Sequence, residues 1–286
     1  MRRLTFIAAL ALTSCVQPPR ATPVAGEPDQ APLAPRYPSW DEIPTPIQNS
    51  AALPSPPVAS ASAGQPLIGG ASLHHLTAAN NVELQFVLFD SRSYALQVID
   101  QPEDWSGGGK ITECLRKAGA IAGVNGGFFT PEFTPMGLMI ANGRKTGAWQ
   151  QNKLLTGAVV VDAQPRLLWN TEVNRNSAHE LVQAGPRLVD AGRPVPNLER
   201  SKHTTRTFIA TDGDHRWLFG IARSTSLGEL ATILATPQLI PGFHVHRALN
   251  LDGGHSSALY YRTADGHEHS APGWSTVRNY LGIIPR

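Results

Sequence analysis

Cysteine is nearly absent: Cys15 and Cys114 are the only two in 286 residues. If processing consumes Cys15, as argued below, one thiol remains. Neither a disulfide framework nor a cysteine-based metal site then forms within one chain. In ITECLRKAG, Cys114 lies on an expected helix beside Ile111 and Leu115, the setting of a buried structural thiol. An excess of charge is also lacking. Lys and Arg number 24 against 22 Asp and Glu, and loss of Arg2 and Arg3 with a leader leaves 22 against 22. A neutral chain has no general attraction for nucleic acid or an anionic surface. No apolar run reaches bilayer length; LTFIAALALTS, near the start, is too short. Nucleotide fingerprints are missing as well, with neither G-x-G-x-x-G nor a Gly-Lys-Ser/Thr opening a helix. A serine nucleophile elbow is absent, since Ser256 and Ser257 follow the order Gly-Gly-His-Ser-Ser.

What is present begins with a processing signal. Arg2 and Arg3 precede the short apolar run, which ends in Leu12-Thr13-Ser14-Cys15. That ending resembles a bacterial lipobox, in which the cysteine accepts lipid and becomes the new N-terminus. Residues 1–14 are therefore expected to be a signal peptide, and Cys15 the lipidation site. Val16 stands where an aspartate would mark retention at the inner membrane, so the expected address is the outer membrane, facing periplasm or exterior. The membrane is thus a partner through the lipid anchor alone. Between Val16 and Pro66 lie 13 of the 24 prolines, mixed with Ala, Ser and Gln. Such a segment cannot bury enough apolar surface to offset its ordering entropy, so residues 15–66 read as a disordered tether.

The pattern changes at Leu67, and residues 67–286 have the length of one domain with a real core. VELQFVLFD and YALQVID alternate around Ser91-Arg92 and are expected to pair. ITECLRKAG has helical spacing and a C-cap at Gly119. AIAGVNGGFF reads as a buried strand entering a glycine turn. LLTGAVVVD with RLLWN forms a second pair, and TTRTFIATDGDHRWLFGIA a hairpin. Ser226 and Glu229 make a capping box for LGELATILA, which must end before Pro237. HRALNLD is another buried strand. Many strands with two helices predict an α+β domain on a mixed β-sheet.

Two segments share one design, a buried strand delivering a polar residue to paired glycines: Asn125-Gly126-Gly127 and Asp252-Gly253-Gly254-His255-Ser256. Glycines there admit positive φ or close approach, and consecutive N–H groups can form an anion nest. A plain turn fits either segment equally well. Gln183-Ala184-Gly185-Pro186 is a third punctuated stretch, whose amide suits a sugar hydroxyl or a solvated turn. Arg206, opening a mostly apolar strand, suits a phosphate or a structural carboxylate. His244-x-His246 with Asp252 leaves a divalent metal open without an evident third ligand.

In order along the chain, GVNGGFFTPEFTPMGLMIANGR, QAGPRLV, TTRTFIA, LNLDGGHSS and VRNYLGI resemble the motifs of the phosphodiester glycosidase family over about residues 80 to 285. The resemblance implies that Asn125, Gln183, Arg206, Asp252 and Ser256 converge on one pocket. It implies hydrolysis of a sugar 1-phosphodiester, with Asp252, Arg206 and Asn125 catalytic. Gly126, Gly127, Gln183, Gly185, Gly253, Gly254, His255 and Ser256 would then bind substrate, with Glu132 a second carboxylate. The expected partner is a sugar phosphate or envelope glycan. Two other readings stand beside it: a glycan-binding lipoprotein using Trp149, Trp169, Trp217 or Trp274 as a platform, and a metal-dependent phosphodiesterase cutting P–O.

Overall fold

The computed structural model describes residues 63–101 and 110–286. Cys15, the lipobox and nearly all of the 15–66 tether lie outside the described residues. Among the described residues strands predominate, with two α-helices, Ile111–Lys117 and Leu227–Leu234. The strands form three sheets, one of eight strands and two of five. Every strand pairing among the described residues is antiparallel, so the expected single mixed sheet is replaced by three antiparallel ones.

In the eight-stranded sheet, Thr204–Thr211 lies between Arg216–Thr225 and Arg247–Asn250. A five-stranded sheet centres on Ala122–Asn125, flanked by Leu259–Arg262 and Asn279–Pro285. The other centres on Glu180–Ala184, flanked by Met139–Ala141 and Gly157–Val161. Ala122–Asn125, Gly157–Val161 and Glu180–Ala184 are buried at every position. Their sequences are accordingly short continuous runs with little alternation. One apolar cluster joins the three sheets through residues such as Val124, Val159, Val182, Ile209 and Leu251.

The hairpin around residues 212–214, the pairing of Gly157–Val161 with Pro165–Trp169, and both helices agree with the sequence reading. Gly119 follows the first helix at φ 73°, and Ser226 Oγ accepts from Glu229 N at 3.2 Å. One pairing differs. Glu83–Asp90 and Tyr94–Asp100 are both strands, but they belong to different sheets. Glu83–Asp90 pairs with Arg216–Thr225, whereas Tyr94–Asp100 lines up on Asn279–Pro285. The turn between them is a corner: Ser91 N bonds to His215 O at 2.8 Å on one side, and Arg286 N to Ser93 O at 3.0 Å on the other. Alternation specifies which face a residue takes, and here the partners came from far along the chain.

A buried carboxylate joins two sheets at a distance from this corner. Glu180 is 4% exposed, and its oxygens accept from Val98 N at 3.0 Å and Asn142 N at 3.1 Å.

Candidate functional site

Two strands from different sheets meet end on. Ala122–Asn125 and Arg247–Asn250 each run out into a glycine pair, and the two loops bond to one another. Asp252 N donates to Gly126 O at 3.0 Å, and Asn125 Nδ2 donates to Asp252 O at 2.7 Å. Asn125 is fully buried, and its Oδ1 accepts from Ala258 N at 3.0 Å and Thr207 Oγ1 at 2.8 Å. Its amide therefore fastens the backbone of Asp252 to the strand of Arg206 and to the segment after Ser256.

The glycines beside Asn125 are required by close neighbours, Asn279 at Gly126 and Val182 at Gly127. Gly126 N donates to Asn279 O, and Gly127 N donates to Asn279 Oδ1, both at 2.9 Å. A Cβ on Gly126 would collide with the Asn279 side chain, and one on Gly127 would stand 2.8 Å from Val182 Cγ1. Both N–H groups are spent inside the protein, so no anion nest forms at Gly126–Gly127. These glycines are positions of close approach.

The second pair is more open. Asp252, Gly253 and Gly254 are partly exposed, and His255 is exposed. Gly254 takes φ 63°, starting a single 3₁₀ turn through Ser256. Gly253 N donates to Asp252 Oδ1 at 2.9 Å. Desolvation lifts the Asp252 carboxyl from its ordinary value to about 6, against hydrogen bonds from Ser256 and the Gly253 N–H that lower it. The Gly254 N–H has no acceptor among the described residues.

Arg206 comes alongside through its backbone, its Cα standing 3.8 Å from where a Cβ on Gly253 would lie. Its guanidinium is largely buried, donating through Nε to Thr225 O at 3.3 Å and through Nη2 to Lys202 O at 2.8 Å. Glu199 Oε2 is 3.6 Å from Nη2. Burial pulls the Arg206 pKa below its ordinary value, opposed by the charge on Glu199. Nη1 has no hydrogen-bond partner among the described residues, which leaves two N–H groups for an anion.

Gln183 and Gly185 stand behind this arrangement. Gln183 Oε1 accepts from Leu138 N and Gln150 N, and Nε2 donates to Gln150 O and Asn170 Oδ1. All four hydrogen-bonding positions of that amide are filled, so it clamps three segments of protein and has none left for a sugar hydroxyl. Gly185, at φ 157°, packs directly on the backbone of Leu154 and Thr156. Its carbonyl accepts from Asn250 Nδ2 at 2.9 Å. Glu132 is exposed and shares no hydrogen bond with the Asp252 cluster; a hydrogen bond from Thr130 holds its carboxyl below the ordinary value.

Thr207, Asn250 and Asn279 were not singled out in the sequence, and Ser257 only as a discounted nucleophile. Thr207 Oγ1 lies 3.1 Å from Ser257 Oγ, which donates to Thr205 O at 3.3 Å. Each is a polar residue within or beside an apolar strand, and that was the available signal. No group of three or more His, Cys, Asp or Glu side chains is arranged to hold a metal among the described residues. His244 and His246 are exposed and precede the strand, whose far end leads to Asp252. Trp169 and Trp217 are core residues, 6% and 1% exposed. Trp149 is half-buried under Arg175, leaving Trp274 as the exposed member of the expected aromatic platform. Cys114 is half-buried and accepts from Gln101 Nε2 at 2.7 Å.

The family model described as phosphodiester glycosidase matches residues 118–284. No curated protein matches the sequence. Among solved structures, the zebrafish N-acetylglucosamine-1-phosphodiester alpha-N-acetylglucosaminidase catalytic domain, auto-inhibited by its pro-peptide, superposes with a TM-score of 0.53. Identity is 14%, over 80% of this chain and 84% of that one. A hypothetical protein from Synechocystis superposes at 0.51 with 17% identity, over 76% of this chain and 62% of that one. At these identities the likeness is one of fold.

Proposed function

Because the chain belongs to the phosphodiester glycosidase family, we propose that it hydrolyses the glycosidic C–O bond of a sugar 1-phosphodiester, with Asp252 as the base. The observation that carries this reading is the desolvated Asp252 carboxyl, with a pKa of about 6, at a glycine turn packed against the backbone of Arg206. At neutral pH the carboxylate is mostly ionised and still basic enough to take a proton. Water attacks the anomeric carbon and gives its proton to Asp252. The bond from that carbon to the phosphate oxygen breaks, its electron pair leaving with a phosphomonoester. That leaving group is already an anion, so a second carboxylate acting as acid is not required. Arg206 Nη1 and the Gly254 N–H supply fixed positive potential for its growing charge.

Asn125 acts as a positioning residue in this scheme, and Gln183, Gly126, Gly127 and Gly185 support the site from behind. Ser256 steadies the Asp252 carboxylate, and His255, at the surface of the turn, faces the substrate. The family assignment covers the reaction class; the sugar and polymer are part of the proposal. The N-acetylglucosamine phosphodiester in the name of the zebrafish protein supplies the first compounds to try. We place the domain, residues 67–286, on a tether anchored through Cys15 at the cell envelope, where glycan phosphodiesters are its substrates.

The test is turnover of UDP-N-acetylglucosamine and N-acetylglucosaminyl methyl phosphate. Release of free sugar supports the reading, and glycan binding without release across the panel would favour a binding lipoprotein. Arg206→Gln is expected to lower kcat by about 100-fold, the usual cost of one donor aimed at developing charge. Steady-state kinetics checks this, and an unchanged kcat would leave Arg206 a purely structural cation.

A further inference from the structure

Trp274 is 93% exposed, and it is the exposed large hydrophobic side chain among the described residues. An indole left in water forgoes the stabilisation that burial of its apolar surface gives elsewhere in this chain. Its position is fixed even so. Trp274 N donates to His255 O at 2.7 Å, and Ser275 N reaches the same oxygen at 3.3 Å. A Cβ on Gly273 would stand 2.8 Å from His255 O and 3.0 Å from Ser256 O. The 272–276 loop therefore rests directly on the turn whose Ser256 bonds to Asp252. Beside it is a cleft of about 170 Å³, lined by Trp274, Lys110, Pro272, Ser275, Thr276 and Tyr280 among others. Ala258, whose N–H bonds to Asn125, forms part of its wall.

We propose that Trp274 is a substrate-binding residue, its indole forming the stacking wall for one hexopyranose ring of the phosphodiester. A flat aromatic face takes the C–H face of a pyranose, and it does so with only two side-chain torsions to order. The hydroxyls of Ser275 and Thr276 and the ammonium of Lys110 match the rim of such a ring, and the cleft has room for about one ring. This inference rests on the hydrolase reading for which bond is cut, but not for the stacking itself. The ring belongs either to the sugar being released or to the group left on the phosphate.

Kinetics of the full chain on two substrates separates these sources: N-acetylglucosaminyl methyl phosphate, and the same diester with glucose in place of methanol. Trp274→Ala is expected to raise KM by about tenfold, with Trp274→Phe restoring most of the affinity. A rise on both substrates assigns the ring to the released sugar, and a rise on the glucose diester alone assigns it to the leaving side. An unchanged KM on both, or a collapse of kcat with KM unaltered, would overturn the proposal and leave the loop as a support for the Ser256 turn. Calorimetric titration with N-acetylglucosamine 1-phosphate and with glucose 6-phosphate keeps the two readings distinguishable. If the wild type cuts neither diester but binds one of these with an affinity lost in Trp274→Ala, the hydrolase reading fails and the stacking wall stands. If it cuts both and Trp274→Ala alters neither KM nor binding, the reverse holds.

Discussion

Asp252→Asn is expected to lower kcat about 1,000-fold while making the protein more stable above pH 6. The activity loss follows from removing the base, a contribution of roughly 100- to 10,000-fold in enzymes generally. The stability gain follows from the direction of the pKa shift. In the folded chain the Asp252 carboxyl holds its proton up to about pH 6, against an ordinary value of 3.8. Between those pH values the folded state binds more protons than the unfolded state, so stability falls as pH rises through the window. Above pH 6 the full cost of keeping a desolvated carboxylate is present. About two pH units correspond to roughly 3 kcal/mol, an upper bound because the side chain is partly exposed. Asparagine keeps an acceptor for the Gly253 N–H and removes the charge, so a gain of about 1–2 kcal/mol at pH 8 is expected, vanishing below pH 3.8. Urea denaturation of both proteins across pH measures it. A loss of stability at pH 8 would mean that the carboxylate is a structural group. The wild-type kcat/KM should also lose activity as pH falls through about 6, because protonation removes the base.

Asn125→Ala is expected to cost about 3–5 kcal/mol of folding stability. The side chain is fully buried and bonds to Asp252 O, Ala258 N and Thr207 Oγ1. Truncation would leave Asp252 O and Ala258 N without partners and Thr207 Oγ1 with Ser257 Oγ alone, in segments belonging to different sheets. Thr207→Val takes away one of those bonds and leaves Ala258 N still paired with Asn125 Oδ1, so about 1 kcal/mol is expected. Thermal or urea unfolding of the two variants separates the cases. If Asn125→Ala were as mild as Thr207→Val, the amide would not be the fastening that holds Asp252. Were Asn125→Ala folded normally but inactive, Asn125 would have to contact substrate directly.

The contrast between these two residues marks what the sequence carried. Asp252 was legible because a carboxylate at the end of an apolar strand, followed by two glycines, breaks the local pattern in a way that needs a reason. The helices were legible from caps and spacing, and most strands from short apolar runs. Asn125 and Gln183 were legible as polar residues at the right places, but their roles were not. Three of the groups that fill the Asn125 amide are 82, 127 and 133 residues away along the chain. Gln183 is filled by segments 13, 33 and 45 residues away. Whether an amide faces a substrate or is consumed by backbone depends on partners that no local pattern contains. The same limit misplaced Tyr94–Asp100, whose alternation was correct while its neighbour was another strand entirely. Gly126 and Gly127 show it once more: glycine signalled close approach, and what approaches is Asn279 at the first and Val182 at the second, both far along the chain.

Which bond is cut is the central claim, and hydrolysis in ¹⁸O-labelled water tests it most directly. Cleavage at the anomeric carbon with water as nucleophile predicts label in the freed sugar and none in the phosphomonoester. Label in the phosphate would mean attack at phosphorus, and would contradict the assignment of Asp252 and Arg206 to a glycosidase.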